Sequence, residues 1–167
     1  MKKKSINILI TALLLLGIVA VVLFVFLAYA DEVFDDNLKV SENGVTTHIM
    51  EVRDLRLNPA ESREYTVNLI CEASGGYRVF LDYEEIKDGG MKAFVDVTVK
   101  CNGSTVYEGP LKELLDTDKV VEFFATLEAD DPVPISVKYK MPYETGNEAQ
   151  ETYSDFNVKL TIKKADN

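Results

Sequence analysis

From Tyr65 onward, apolar residues return at every second position, the period that lines one face of a β-strand. Val67, Leu69 and Cys71 share a parity, as do Tyr77, Val79, Leu81 and Tyr83, and Ser74, Gly75 and Gly76 supply the turn between the two runs. Ala93, Val95, Val97, Val99 and Cys101 alternate with Phe94, Asp96, Thr98 and Lys100. Asn102-Gly103 then marks a two-residue hairpin, because a type I′ turn needs positive φ at both central positions, and Ser104 to Tyr107 are expected to pair back. Ile135, Val137, Tyr139 and Met141, and later Phe156, Val158, Leu160 and Ile162, repeat the pattern against polar neighbours, so these strands have one buried and one wet face. Val120 to Leu127 is β-rich but less regular, while Leu111 to Leu115 after Pro110 reads as one or two helical turns. The prolines fall between runs or at a run's first position, where a missing N–H does least harm. Short strands separated by turns predict an all-β fold, a two-sheet antiparallel sandwich.

The N-terminus follows a different pattern. Lys2, Lys3 and Lys4 precede an uncharged, apolar-rich run from Ile6 to Ala28, and acids follow at Asp31, Glu32, Asp35 and Asp36. This is an export signal with its positive end kept inside. At about 1.5 Å per residue the run is long enough, as a hydrophobic helix, to span a bilayer core of about 30 Å, so it suits a retained anchor. Against that, Ala28-Tyr29-Ala30 ahead of Asp31 forms an A-x-A cleavage pattern, which favours removal over retention. Either way the body is expected outside the cytoplasm, secreted or at the cell surface. The expected organisation is a signal peptide or anchor over 1–30, a flexible acidic segment over 31–50 and a β-sandwich over 51–167.

Composition narrows the chemistry. The chain has 167 residues, 47% of them apolar, enough for one or at most two small domains and too apolar for a disordered protein. Of 18 basic side chains three are Lys2, Lys3 and Lys4, so beyond residue 30 there remain 15 basic against 28 acidic, a net charge of −13. A surface that acidic repels phosphate, and nucleic acid is not an expected partner.

Cys71 and Cys101 lie on the apolar parity of their strands. Outside the cytoplasm they form either a disulfide or two buried thiols acting as small hydrophobes. His48 is the only histidine and lacks an H-E-x-x-H companion or a G-x-S-x-G turn, so it reads as a solvent-facing or edge-strand residue, not as a catalyst. Asp116-Thr-Asp118 and Asp130-Asp131 lack calcium-loop spacing and read as solvated loop charge. Asn102-Gly-Ser104 fits a glycosylation acceptor in an exposed turn. No catalytic, cofactor or metal site is expected.

Between Asp31 and Gly44, Phe34, Leu38 and Val40 share one parity. The segment suits either the first edge strand of its own domain or a strand added to a neighbour's open sheet edge.

Four stretches resemble the TasA/camelysin family of exported fibre-forming proteins. They are the signal end Leu27-Ala-Tyr-Ala-Asp31; Asp54-Leu-Arg-Leu-Asn-Pro-Ala-Glu-Ser62, with Ala60 where Gly is common; Val106 to Leu115; and Ile135 to Gln150 followed by Phe156 to Ile162. The chain departs from that pattern at Cys71 and Cys101 and between Asp31 and Glu51. The resemblance implies a jelly-roll-like sandwich whose freed N-terminal segment, here with Phe34, Leu38 and Val40 as contacts, inserts as a donated strand into the next subunit. Camelysin has been described as a peptidase, but no residues here carry that activity over.

The expected function is therefore a secreted structural subunit that self-associates into extracellular or biofilm-matrix fibres among envelope or matrix components. The alternative is an uncleaved cell-surface binding module, held in the membrane through residues 6–28 and contacting ligand through loops such as Asp82 to Gly90 or Tyr143 to Ser154.

Overall fold

A computed structural model describes residues 34–42, 44–117 and 119–165. The apolar run at 6–28 and the expected cleavage region at Ala28, Ala30 and Asp31 lie outside them. Among the described residues no helix is long and apolar enough to cross a membrane. Residues 32–167 form one compact unit, and the buried core of the described residues lies within it, so this body has what it needs to fold by itself.

The strands are β1 (Phe34–Val40), β2 (Val45–Leu55), β3 (Ser62–Cys71), β4 (Gly75–Gly89), β5 (Asp96–Cys101), β6 (Ser104–Pro110), β7 (Val121–Leu127), β8 (Val133–Lys140) and β9 (Tyr153–Lys164). One sheet has the order β1-β3-β8-β5-β6 and the other β2-β9-β4-β7. Without β1, the remaining eight strands wind as a jelly roll, two four-stranded sheets in which every neighbouring pair is antiparallel. β1 is an addition to that frame, and it pairs with β3 in parallel, Phe34 beside Tyr65 through Val40 beside Cys71.

The period-two residues face inward as expected. Val67, Leu69, Tyr77, Val79, Leu81, Val97, Val99, Ile135, Val137, Phe156, Val158, Leu160 and Ile162 are all buried. The Tyr139 ring reaches across the layers to Phe156 at 5.3 Å and along its own sheet to Tyr65 at 5.8 Å, both edge-on. Burial pushes the Tyr139 phenol well above its usual range. The hairpin at Asn102 (φ 48°) and Gly103 (φ 78°) has both central residues in the left-handed region that its turn requires. Helix α1 (Leu111–Asp116) follows Pro110 and seats Leu111, Leu114 and Leu115 in the core.

Four expectations need correction. β2 crosses the boundary set at residue 50, so the eight-strand frame begins at Val45, and β1 ahead of it is already a strand of the first sheet. Its inward positions are Thr46, His48, Met50 and Val52, and two polar residues among four hid the alternation. Ala93 is exposed and lies in a 3-10 turn (Met91–Phe94), where the step is three residues and not two. Asp82 to Gly89 is strand, not loop: β4 continues past a bulge at Ile86 and pairs with the start of β9, with wet charged residues on both faces of this overhang. Pro134 is the second residue of β8, and its carbonyl still accepts the Asn102 N–H at 2.9 Å.

The two cysteines are free thiols. β3 and β5 flank β8, and their registers place Cys101 opposite Ile135 and Leu69 opposite Val133. Cys71 is therefore about four residues, or about 13 Å, further along β8 and about 10 Å across two strand spacings. A disulfide needs Cα atoms within about 7 Å, so these two do not pair inside one fold. The Cys71 Sγ–H instead donates to the Glu128 carbonyl at 3.1 Å.

Candidate functional site at the open seam

The two sides of the sandwich are finished differently. On one, α1 fills the gap with leucines. On the other, the edge strands β1 and β2 come near each other across the two sheets without hydrogen-bonding, and a groove of about 510 Å³ opens there. His48, Met50 and Arg53 of β2 and Arg63, Tyr65 and Val67 of β3 line it. Among the described residues β1 begins opposite Tyr65, so Ser62, Arg63 and Glu64 of β3 have no β1 partner there.

An acid–imidazole contact bridges the seam. His48 Nε2 lies 3.4 Å from Asp36 Oδ2, the imidazole 23% exposed and the carboxylate 62%. The unpredicted partner of His48 is thus on β1, visible only once β1 and β2 are known to flank one gap. Arg53 is fixed beside it: Nη1 donates to the Phe156 carbonyl at 3.1 Å, Nη2 to Asn157 Oδ1 at 3.0 Å, and Glu51 lies at 3.3 Å. Arg63 has no carboxylate in salt-bridge range among the described residues, so the groove carries a cation without a charge partner there.

β1 brings Leu38 and Val40 together on the inward side, Val40 fully buried and Leu38 packed against the core. Phe34 begins the strand beside Tyr65. The chain leaves β1 through residues 41–44 and enters β2 in the opposite sheet. His48 and Asp36 have the look of a base and its orienting acid. Neither thiol accompanies them: Asp36 pairs with Val67 while Cys71 is four residues further along β3, and Cys101 lies in the same row but three strands away on β5.

A second cluster left no trace in sequence spacing. Where the β4 overhang, the 3-10 turn and the end of α1 meet, Lys92 Nζ touches Glu85, lies 3.1 Å from Asp88 and 2.7 Å from Asp116, and is itself only 14% exposed. Hydrogen bonds to Asp116 and Glu85 hold the ammonium well above the usual lysine range. Burial pushes the Asp88 carboxyl up, but the Gly90 N–H and the Lys92 ammonium outweigh it and hold it below the usual carboxylate range. Asp116 is therefore a structural ion-pair partner, whereas Asp118 lies outside the described residues. Among the described residues no three His, Cys, Asp or Glu side chains are grouped to hold a metal ion.

No protein-family model and no curated protein matches the chain. Solved structures share the architecture at a distance. The insecticidal delta-endotoxin Cry8Ea1 of Bacillus thuringiensis is 13% identical with a TM-score of 0.42, over 78% of this chain and 26% of the toxin, so the chain spans about a quarter of that protein's length. PliG of Aeromonas hydrophila, a periplasmic inhibitor of g-type lysozyme, is 11% identical with a TM-score of 0.37, covering 80% of this chain and all of PliG. A family 35 carbohydrate-binding module from Clostridium thermocellum is 12% identical with a TM-score of 0.36, over 74% of this chain and 95% of the module. The chain is an all-β, two-sheet sandwich, and likenesses this remote say nothing of what it binds.

Proposed function

We propose that the chain is an exported, non-catalytic structural subunit that assembles into extracellular fibres by exchanging β1 between neighbouring copies. The observation that carries this reading is the status of β1: it is an extra edge strand outside the eight-strand jelly roll and in parallel pairing, tethered by residues 41–44. Its departure leaves every antiparallel strand pair intact. The vacated slot beside β3 then offers a row of main-chain donors and acceptors and the apolar seat of Leu38 and Val40 to the β1 of another copy. Such a contact is heterologous and continues without closing. Changing Phe34, Leu38 and Val40 together to Asp, in a body whose other sheet edges are blocked by Ile49→Lys and Phe124→Lys, leaves a folded monomer and no filaments in negative-stain micrographs, while the edge-blocked body with β1 intact still forms them; filaments that persist in the first, or are missing in the second, reject the mechanism.

A second reading, a cell-surface binding module anchored through residues 6–28, is favoured by the groove and by Arg63, which has no carboxylate partner among the described residues. N-terminal sequencing of the exported protein separates the two, because an intact Met1 favours display and a start at Asp31 favours the released subunit.

A further inference from the structure

Among the described residues the four-stranded sheet has two free edges, β2 and β7, which pair only with β9 and β4. Neither strand contains the lysine or proline that usually blunts an exposed edge. Six large apolar side chains are exposed among the described residues, and four belong to these two edges: Val45 (64%) and Ile49 (54%) on β2, Phe124 (61%) on β7 and Val120 (44%) just before it. All four have the parity of the sheet's outer face.

Their spacing matches. Val45 and Ile49 are four residues apart, and so are Val120 and Phe124. The register places Val45, Lys163, Arg78 and Phe124 in one row across the sheet. Ile49, Lys159 and Asp82 form another row, which ends at Val120, one residue before the Val121–Leu81 pair. Because neighbouring strands alternate in direction through the sheet, β2 and β7 run oppositely, and β7 of one copy beside β2 of the next is an antiparallel pair. Continuing each row across that junction places Phe124 against Val45 and Val120 against Ile49, with Glu122 opposite Thr47, so no like charges face each other between these two apolar rows. The groove leaves room beside the free side of β2.

We propose that a second copy of this chain docks edge to edge here, β7 onto β2, extending the four-stranded sheet from molecule to molecule. This goes beyond β1 exchange and needs none: each copy keeps its own β1, and the contact, being heterologous, repeats.

The test uses the body, residues 32–167, with β1 pinned to β3 by a disulfide between Val40→Cys and Cys71, formed in dilute solution in a Cys101→Ser background. One variant carries Val45→Lys and Ile49→Lys, the other Val120→Lys and Phe124→Lys; circular dichroism checks that both fold, as exposed positions should allow. In sedimentation velocity the pinned parent associates with rising concentration. Each variant alone is a monomer, its association weakened at least about tenfold. An equimolar mixture forms dimers and nothing larger, because one intact β7 meets one intact β2. A monomeric parent, a monomeric mixture, or self-association of either variant alone overturns the inference. All three leave the exchange of β1, tested without the pin, untouched.

Discussion

Replacing Lys92 with methionine leaves Glu85, Asp88 and Asp116 facing one another without their cation. The magnitude follows from the exposures. Exposed pairs contribute at most about 1 kcal/mol, and stripping one partner from a buried pair costs about 3–5 kcal/mol. The ammonium is 14% exposed, but the carboxylates are 32% to 36% exposed and screened by water, so the expected loss lies between these limits. We expect about 2 kcal/mol, or a fall in Tm of about 6–8 °C for a domain of this size. The pH dependence follows from both groups. Asp88, held low in the fold, contributes stability above its unfolded pKa of about 3.9 and loses it as pH falls through the folded value. Lys92, held high, contributes fully below about pH 10.4 and loses it only as pH rises through its folded value. The clamp is therefore complete across neutral pH. Thermal unfolding followed by circular dichroism at pH 7 and pH 2 should show a large gap between parent and variant at the first and a smaller one at the second, because the Asp88 contribution is lost as pH falls through its lowered folded value. Adding Asp116→Asn to the methionine variant should recover part of the loss at pH 7. A gap below about 2 °C at pH 7, or equal gaps at both values, refutes the reasoning.

Other outcomes follow from single positions. Ala60 has φ 71°, in the left-handed region that disfavours a Cβ, so Ala60→Gly should raise stability by about 0.5–1 kcal/mol in a denaturant titration; a loss would contradict the assigned turn. Gly89→Ala brings a Cβ to 2.7 Å from the Tyr153 backbone carbonyl and 2.4 Å from its ring, and should cost about 1–3 kcal/mol by the same titration. Reductant should leave Tm unchanged and thiol titration of denatured protein should find two thiols without it, whereas a reductant-sensitive Tm would reveal a disulfide that the strand registers forbid.

Much of the sandwich was legible because its central strands obey one rule, apolar in and polar out, from Val67 to Ile162. The rule failed where burial is not decided by a strand's own face. β2 presents Thr46 and His48 inward at a seam too open to demand apolar residues, so its first half looked like tail. The β4 overhang is wet on both faces, and its pairing with β9 is set by main-chain hydrogen bonds that leave no hydrophobic trace. The seam itself was half visible: Phe34, Leu38 and Val40 announced a strand, but parity cannot choose parallel from antiparallel pairing or say which edge a strand joins. The Asp36–His48 contact, the Lys92 cluster and the matching rows on β2 and β7 are products of topology, joining residues from different strands and turns. The separation of Cys71 and Cys101 was beyond parity too, since both point inward, and only strand order shows β8 lying between them.

The account rests on β1 changing owners, and Val40 offers a direct way to see it. Val40 and Cys71 are buried register partners on adjacent strands about 4.8 Å apart, within reach of a disulfide. In a Val40→Cys, Cys101→Ser body, oxidation of assembled filaments should produce a ladder of covalently linked subunits on a non-reducing denaturing gel, because each new bond then joins two chains. Filaments that yield only the single-chain band, with the bond closed inside each subunit, would show that β1 stays at home and that the fibre, if one forms, is built another way.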